Sequence, residues 1–416
     1  MLTPIKVRES TAPKGQQAVI QRAHGSVMET LQPDPAGCAA PTPRIDRLLA
    51  EKRPPTPCIV VDLDIVRARH AALRRSLPAA EIYYAVKANP APQVIAALAQ
   101  LGTHFDVASS GELDLCRGID VPPARLSFGN TIKRETAIAG AWADGVDLFA
   151  FDSSAELEKL ARCAPGARVF CRLLIENKGA EWPLTRKFGC ELHMAVDLLV
   201  AARRLGLRPI GVSFHVGSQQ TDPHQWGSAI AHAAWVFRAC AHQGVALEMI
   251  NLGGGLPAHY REPIPALASY AEAIETALAR EFGAARPRIM IEPGRYLVAD
   301  AGLLRAEILL ISRKSTHELE RWVYLDAGLY NGLDETLDER IHYRIRTPRD
   351  AGPCGPVILA GPTCDSTDIL YRRHPYELPL DLAIGDPVDF LSAGAYTASL
   401  AAVAFNGFAP IRAYFV

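Results

Sequence analysis

The sequence predicts a (β/α)8 barrel of the TIM type followed by an all-β domain of sandwich or barrel type. Three observations carry this prediction. Eight short β-type runs alternate with helical patterns over residues 82–291, as in parallel βα units. The count of eight and the length of this part favour a closed barrel over an open doubly wound sheet, although the pattern is compatible with both. After Gly302 the alternation stops, and short strands separated by turns rich in Pro and Gly replace it.

The elements follow in order along the chain. Residues 1–44 contain six prolines and no sustained periodicity, so we expect a flexible N-terminal extension. An apolar run at 58–61 and a helical stretch at 64–76 come next. The predicted barrel strands are residues 82–86, 105–108, 125–128, 148–151, 168–174, 210–216, 247–252 and 288–291. Helical spacing occurs between them at residues 92–101, 155–162, 192–205, 226–242 and 267–282.

The chain therefore divides into three predicted parts. They are an extension (1–44), a barrel (45–300) and a β domain (301–416), to which the first strand of the chain can also contribute. Strands of the β domain are predicted at residues 307–312, 322–326, 356–360 and 387–390.

Composition excludes several classes of protein. The 44 Lys and Arg residues balance 45 Asp and Glu residues, so no basic field attracts nucleic acid. No apolar stretch approaches the roughly 18 residues of a membrane span, and residues 1–16 lack the apolar core of a secretion signal. Nine scattered cysteines without a C-x-x-C pair indicate free thiols in a reducing compartment, so we expect a cytoplasmic protein without a metal site.

Polar motifs stand at or directly after the ends of five of the predicted barrel strands. They are Lys87-Ala88-Asn89-Pro90, Ser109-Ser110-Gly111-Glu112, His215-Val216-Gly217-Ser218, Gly253-Gly254-Gly255 and Glu292-Pro293-Gly294-Arg295. Each motif alone is a weak signal, because solvated strand ends and glycine turns are common. In a (β/α)8 barrel, however, the carboxyl ends of all strands form one rim, which is where the chemistry of such enzymes lies.

These residue types suit one cofactor. Glycine backbone N–H groups can cradle a phosphate, and Arg295 can add a charge-assisted contact to it. The Lys87 amine can form a Schiff base, His215 can stack on a ring, and Glu292 can pair with a pyridine nitrogen. Together they describe a site for pyridoxal 5′-phosphate (PLP).

The same motifs resemble the PLP-dependent ornithine/diaminopimelate/arginine decarboxylase family of the type III, alanine-racemase-like fold. Further matching motifs are Tyr83-Tyr84-Ala85-Val86-Lys87-Ala88-Asn89, Phe105-Asp106-Val107-Ala108-Ser109, Gly361-Pro362-Thr363-Cys364-Asp365 and Gly394-Ala395-Tyr396. They occur in family order from about residue 45 onward. Residues 127–133 and 180–184 are most similar to bacterial ornithine decarboxylases.

The resemblance implies a role for each matching residue. Lys87 would hold the cofactor covalently, His215 would stack on its ring, and Glu292 would pair with its ring nitrogen. Asp106 and Arg172 would line the cofactor pocket. The phosphate would be bound by Ser218, Gly253, Gly254, Gly255, Arg295 and Tyr396.

The resemblance also implies a homodimer with shared active sites. Cys364 would return a proton to the α-carbon, and Asp365 would take the distal ammonium group of the substrate, with Tyr396 nearby. Both Cys364 and Asp365 would reach into the partner's site. The catalytic set is thus Lys87, His215, Glu292 and Cys364.

The expected reaction is the decarboxylation of a basic L-amino acid, most simply L-ornithine to putrescine and CO2. An acid at position 292 favours decarboxylation, because a racemase of this fold would carry arginine there. Asp365 stands where diaminopimelate decarboxylases typically have glutamate, which makes diaminopimelate a less suitable substrate. A second acid for the distal ammonium could be Asp334, Glu335, Asp338 or Glu339, and the sequence does not select one.

Two alternatives stay open at this point. Lysine is one methylene longer than ornithine, so an enzyme for lysine, for both, or for another diamino acid is compatible with the same motifs. A protein of a different class, a non-catalytic PLP-binding regulator on this scaffold, would be expected to lack Lys87, Cys364 or Asp365, and all three are present.

Overall fold

The computed structural model describes residues 41–176, 178–183 and 186–416. The described part opens with helix α1 (Pro43–Lys52), strand β1 (Cys58–Val61) and helix α2 (Leu63–Ser76). Thr42 caps α1, so this helix begins within the last residues of the predicted extension. The prediction for residues 1–40 lies outside the described residues.

A closed barrel of eight parallel strands confirms the predicted fold class. From residue 80 to residue 291 the strands are β2 (Ala80–Ala85), β3 (His104–Val107), β4 (Leu126–Phe128), β5 (Leu148–Phe151), β6 (Arg168–Arg172), β7 (Ala180–Trp182), β8 (Arg208–Ser213), β9 (Ser218–Gln220), β10 (Met249–Asn251) and β11 (Arg288–Ile291). The barrel order is β2-β3-β4-β5-β6-β8-β10-β11, and β7 pairs with β9 as a separate two-stranded sheet.

Helices follow the barrel strands. They are α3 (Pro92–Gln100), α4 (Ser110–Arg117), α5 (Glu135–Ala143), α6 (Ser154–Cys163), α7 (Leu192–Arg204), α8 (Gln225–His242), α9 (Leu267–Phe282) and the short α10 (Arg295–Val298). Within the described residues, no helix is both long and apolar enough to cross a bilayer.

The barrel interior is filled by large side chains below the site. Tyr83, Phe170, Met249 and Met290 belong to one buried cluster, with Leu148, Ala150 and Ile210 completing it. Side chains alternate along a strand, so residues two positions further along β6 and β11 point to the same interior. This apolar cluster, which we call the apolar plug, therefore lies directly below the polar residues at the rim and supports them.

The remaining strands form one nine-stranded sheet, as expected for an all-β domain. They are β12 (Gly302–Ser312), β13 (Arg321–Leu325), β14 (Ile345–Arg346), β15 (Cys354–Ala360), β16 (Ile369–Leu370), β17 (Tyr376–Pro379), β18 (Pro387–Leu391) and β19 (Arg412–Phe415). The ninth strand is β1, which pairs antiparallel with β12 and parallel with β19. The N-terminal strand thus belongs to the β domain and not to the barrel.

Candidate active site

Polar side chains replace the apolar plug at the carboxyl ends of the barrel strands. Arg172 ends β6 two residues after Phe170, and Glu292 follows β11 two residues after Met290. Lys87 lies in a short 3-10 turn directly after β2. Because these strands are parallel neighbours in one barrel, their ends converge on a single rim.

A small cavity at this rim brings most of the predicted cofactor residues together. Its lining includes Lys87, His215, Ser218, Gly254, Gly255, Glu292, Arg295 and Tyr396. Gly253 comes directly before the two lining glycines, and its carbonyl accepts the backbone N–H of Glu292 at 2.8 Å. The motif Ser109–Glu112 has another role: Ser109 caps α4 and Glu112 accepts the Ala108 N–H, so this motif is a helix cap.

His215 is held as a neutral ring. Burial, with Arg172 and Lys87 nearby, keeps the pKa of His215 well below its ordinary value. The Gly217 backbone N–H donates to Nδ1 at 3.0 Å, so the ring proton resides on Nε2. His215 thus offers the cavity an uncharged aromatic face.

Two carboxylates lie beside each other at the rim. Asn251 Nδ2 donates to Glu292 Oε1 at 2.5 Å and its Oδ1 accepts the Gly253 N–H, which ties Glu292 to the glycine loop. Asp106 is buried, and its Oδ1 has no hydrogen-bond partner within the described residues. Burial and the neighbouring Glu292 raise the pKa of Asp106 well above its ordinary value, while Lys87 lowers it. The sequence analysis did not predict a role for Asn251. Its position as a lone polar residue in an apolar run was the available signal.

The glycine triplet is packed so closely that no side chain fits. Gly253 and Gly255 adopt φ values of 66° and 112°, which favour glycine. A Cβ on Gly254 would stand 2.8 Å from the Glu292 carbonyl oxygen and 3.1 Å from His215 Nε2. The triplet therefore presents bare backbone to the cavity.

Arg295 is fully buried and strongly bonded. Its guanidinium contacts Ser218 and Tyr260 and forms a two-bond ion pair with Glu335, at 2.6 Å and 2.5 Å. Its guanidinium carbon also lies 4.9 Å from the centre of the Tyr396 ring. Neither spacing nor pattern in the sequence pointed to the partnership of Glu335 with Arg295.

A second cavity of about 330 Å³ adjoins the first through His215. Arg172, Trp182, Asp338 and Arg340 are among the residues that line it. The Arg340 guanidinium lies 4.7 Å from the Trp182 ring centre and 3.6 Å from Asp338. This cavity has room for the chain of an amino acid.

The fold places the four acidic residues that follow Tyr330 in different surroundings. Asp338 lines the larger cavity and is 63% exposed. Glu335 binds Arg295, and Glu339 accepts hydrogen bonds from the backbone of Arg373 and His374. Asp334 is half-buried, and burial raises its pKa.

Cys364 and Asp365 are not brought to the rim of the same chain. Cys364 is exposed, and its backbone N–H and Sγ contact Asn406. Asp365 accepts hydrogen bonds from Tyr330 and from the backbone and hydroxyl of Thr367. Neither residue lines the two rim cavities.

The rim suits PLP on its own chemistry. It contains a lysine amine, a backbone cradle that any Cβ would fill, an aromatic face and the buried Asp106 Oδ1, which has no partner in the described part of the chain. These are the groups that an aldehyde, a phosphate and a protonated pyridine require.

Comparison with known proteins agrees with this chemistry. Residues 63–299 match the pyridoxal-binding domain model of the pyridoxal-dependent decarboxylases. The chain is 36% identical to a lysine/ornithine decarboxylase of Selenomonas ruminantium, covering 86% of this chain and 88% of that one. It is 33% identical to ornithine decarboxylase of Rattus norvegicus, covering 86% and 80%.

A solved structure extends the likeness to three dimensions. The lysine/ornithine decarboxylase of Vibrio vulnificus, solved with cadaverine, superposes with a TM-score of 0.80 at 30% identity, covering 90% of this chain and 97% of that chain. PLP is therefore the cofactor, and basic amino acids are the substrate class. The chain belongs to the family of pyridoxal-dependent decarboxylases.

Proposed function

We propose that the protein converts L-ornithine to putrescine and CO2, as a step of polyamine synthesis in the cytoplasm. The observation that carries this proposal is the position of Asp338 in the larger cavity, beside Arg172 and His215. A carboxylate there can receive the distal ammonium group of a diamino acid whose α-carbon lies at the rim. Relatives named for ornithine and for lysine/ornithine support the same choice.

The rim residues divide the work of holding the cofactor. When bound, PLP supplies an electron sink for the pair of electrons left by departing CO2. Lys87 would provide the amine that holds PLP, and His215 would offer its neutral face to the ring. Glu292, oriented by Asn251, keeps a proton on the ring nitrogen. Ser218, Gly253–Gly255, Arg295 and Tyr396 would bind the phosphate, and Arg172 and Asp106 would line the rest of the pocket.

The substrate side is completed by a second copy of the chain. We assign Cys364 as the proton donor to the α-carbon and Asp365 as a carboxylate for the distal ammonium, both acting in the partner's site. Their loop is exposed, and Leu400, Val403, Phe405 and Phe408 expose apolar surface in the same C-terminal part of the chain. An apolar surface of this kind is typical of an interface that a partner buries.

Lysine is the main rival substrate. The two substrates differ by one methylene, which typically changes discrimination by about 1–3 kcal/mol. Diaminopimelate carries a second carboxylate, which would approach Asp338 and Asp365 as a like charge. Arg340 also lines the cavity, 3.6 Å from Asp338, and an ammonium group bound at Asp338 would replace this exposed ion pair.

A substrate panel tests the proposal. Purified protein with PLP is offered ornithine, lysine, arginine, diaminopimelate and 2,4-diaminobutyrate, and CO2 release gives kcat/KM for each. We expect ornithine first, lysine measurable and diaminopimelate negligible. Asp338→Asn should lower kcat/KM for ornithine by about tenfold, the worth of one charge-assisted contact.

Glu339→Gln is the matched control, because Glu339 belongs to the same segment but binds Arg373 and His374. It should change kcat/KM for ornithine less than about twofold. Diaminopimelate outperforming ornithine would refute the assignment of substrate. An effect of Glu339→Gln that exceeds the effect of Asp338→Asn would move the ammonium site to Glu339.

A further inference from the structure

Three metal-ligating side chains, Glu339, His342 and His374, converge in the C-terminal part of the chain. One ligand atom of each lies within 4.8 Å of those of the other two. Glu339 ends the 3-10 segment Asp334–Glu339, and His342 follows it by three residues. His374 lies between β16 and β17, 35 residues along the chain from Glu339. None of these three described residues lines either rim cavity, so the cluster lies outside both.

The carboxylate of Glu339 is held in place by backbone groups. The Arg373 N–H donates to Oε1 at 2.6 Å, and the His374 N–H donates to Oε2 at 3.0 Å. The Glu339 side chain is only 8% exposed. Ligating carboxylates in metal sites are typically oriented by such additional hydrogen bonds. Glu339 is therefore a fixed, anionic oxygen ligand.

The two imidazole rings supply nitrogen ligands beside this carboxylate. His374 Nδ1 lies 2.7 Å from Glu339 Oε2, and the His374 side chain is 69% exposed. The His342 ring stacks on Tyr371 with a centroid distance of 5.3 Å, which fixes its plane, and it lies 5.7 Å from the His374 ring. Zinc bonds of about 2.0–2.2 Å place the ligand atoms of a tetrahedral ion roughly 3.3–3.6 Å apart. Small movements, mainly of the exposed His374 ring, would thus bring the three ligands around one ion.

Charges of both signs surround the cluster. Arg373 Nε lies 3.4 Å from Glu339 Oε1, and Arg261 and Glu262 act on His342 with opposite signs. Arg373 and Arg261 are exposed, so water and salt screen their repulsion of a cation. The surroundings therefore permit a divalent ion, with Glu339 as its charge partner.

We propose that Glu339, His342 and His374 form a binding site for a divalent transition-metal ion of the zinc type, with water as the fourth ligand. Two imidazole nitrogens and one carboxylate suit Zn²⁺, whereas Mg²⁺ and Ca²⁺ prefer oxygen ligands alone. The ion replaces the proton shared by His374 and Glu339 and ties the 3-10 segment to the loop between β16 and β17. Cysteine spacing could not indicate this site, because its ligands are histidine and glutamate from two distant segments. The proposal is independent of the substrate proposed above.

Cobalt(II) is the probe for this site, because four-coordinate Co²⁺ absorbs visible light much more strongly than six-coordinate Co²⁺. Full-length holoenzyme without a histidine tag is treated with a chelator, dialysed and titrated with Co²⁺. The spectrum of the metal-free holoenzyme is subtracted to remove the absorption of PLP. We expect one Co²⁺ per chain with the intense four-coordinate bands. Zn²⁺ should displace it, because Zn²⁺ binds such ligands more tightly than Co²⁺.

Variants of the two histidines assign the ion to the cluster. His342→Gln and His374→Gln should each weaken Co²⁺ binding by more than about 100-fold, since loss of a supporting contact alone costs up to that much. His317→Gln is the matched control: it removes an exposed histidine outside the cluster and should leave the Kd within about twofold of native. Binding that survives in both cluster variants would refute the site, as would only weak, six-coordinate bands in native protein.

Melting with Zn²⁺ gives a second readout that does not depend on colour. A ligand that binds only the folded chain stabilises it, so Zn²⁺ about a hundredfold above its Kd should raise the melting temperature of native holoenzyme by roughly 3 °C. His317→Gln should show the same rise, and His374→Gln should show none. Equal rises in native protein and in His374→Gln would contradict the assignment.

His374→Cys keeps the test decisive if His374→Gln melts lower without any metal. A cysteine thiolate is itself a zinc and cobalt ligand, so this variant should retain Co²⁺ and add a sulfur-to-cobalt charge-transfer band. Such a band arises only if residue 374 contacts the ion. Its absence, with Co²⁺ still bound, would show that the ion lies elsewhere and would overturn the proposal.

Discussion

The barrel rim and the Cys364–Asp365 loop differ in how completely one chain builds them. At the rim, Arg295 and Glu335 are almost fully buried and Glu292 is tied to Asn251. In the loop, Cys364 is exposed, and its backbone N–H donates to Asn406 Oδ1. The rim is therefore assembled within one chain, whereas the loop does not line the rim cavities of its own chain. This contrast suggests that cofactor binding and turnover can be separated by mutation.

The largest effect is expected for Lys87→Ala. Lys87 is the only lysine lining the small cavity among the described residues. Its loss removes the covalent attachment of the cofactor. We expect kcat to fall by about 10⁴-fold, which is the upper end of the range for loss of a single side chain that transfers protons. The visible absorption band of the cofactor linked to this lysine should vanish with it. A variant that retains the band and the activity would show that another amine holds the cofactor.

Cys364→Ala should break turnover and leave cofactor binding intact. The rate of amine formation should fall about 10²-fold, as for loss of a proton donor, while the visible band persists. Protonation at the wrong carbon would then yield an aldehyde, which mass spectrometry of the products detects. Exposed Cys354→Ala is the control and should behave as native. An unchanged rate and amine yield in Cys364→Ala would remove this thiol from the reaction.

Mixing the two inactive proteins sharpens the comparison further. If each site combines the rim of one chain with the loop of the other, a mixed dimer of Lys87→Ala and Cys364→Ala contains one intact site. Random exchange of subunits in a twofold dimer should restore about a quarter of native activity per protein. Activity is measured after co-refolding or subunit exchange at equal concentrations. Recovery no greater than the sum of the separate variants would place both residues in one chain's site.

The smallest expected effect is a difference in pH dependence of stability. Burial raises the pKa of Glu181, on β7, from 4.5 to about 7 against the lowering effect of Arg295. The folded protein thus binds the proton more tightly than the unfolded chain, and Glu181 costs stability as pH rises from 4.5 through 7. Glu181→Gln should match native protein at pH 5 and melt roughly 1–4 °C higher at pH 8.

Asp365→Asn provides the control from the loop. Hydrogen bonds from Thr367 and Tyr330 keep the pKa of Asp365 below its ordinary value of 3.8. Its charge is therefore constant between pH 5 and pH 8, and the melting difference from native protein should not vary over that range. A flat difference for Glu181→Gln as well would mean that Glu181 is not buried against the rim charges in solution.

Periodicity was sufficient to predict the barrel and its rim. Each predicted run overlaps one barrel strand, because fully buried parallel strands are short apolar segments bounded by turns. Lys87, His215 and Glu292 could be placed at the rim because they stand at or directly after the ends of such runs. The same logic grouped Ser218, Gly254, Gly255 and Arg295, which line one cavity with them.

The acidic run shows what periodicity could not supply. The segment Asp334–Glu339 is a 3-10 turn interrupted at Leu337 and Asp338, where Asp338 adopts a φ of 56°. No regular repeat describes such a reversal, so spacing could not reveal that Asp338 faces the cavity while Glu335 faces Arg295. The position of Cys364 and Asp365 depends on tertiary contacts with Asn406 and Tyr330, which a linear pattern does not encode.

Strand β1 carries a consequence for the order of folding. It precedes the barrel, yet it pairs with β12 and β19, and the Val416 backbone bonds to Val61 and Leu63. During synthesis β1 leaves the ribosome long before either neighbour, so its apolar residues must stay unpaired while the whole barrel is made. Such long-range pairing is slow and exposes an edge that can aggregate. Removing residues 412–416 should leave the β19-facing edge of β1 permanently unpaired. The C-terminal strand is thus the element that closes this edge in the folded chain.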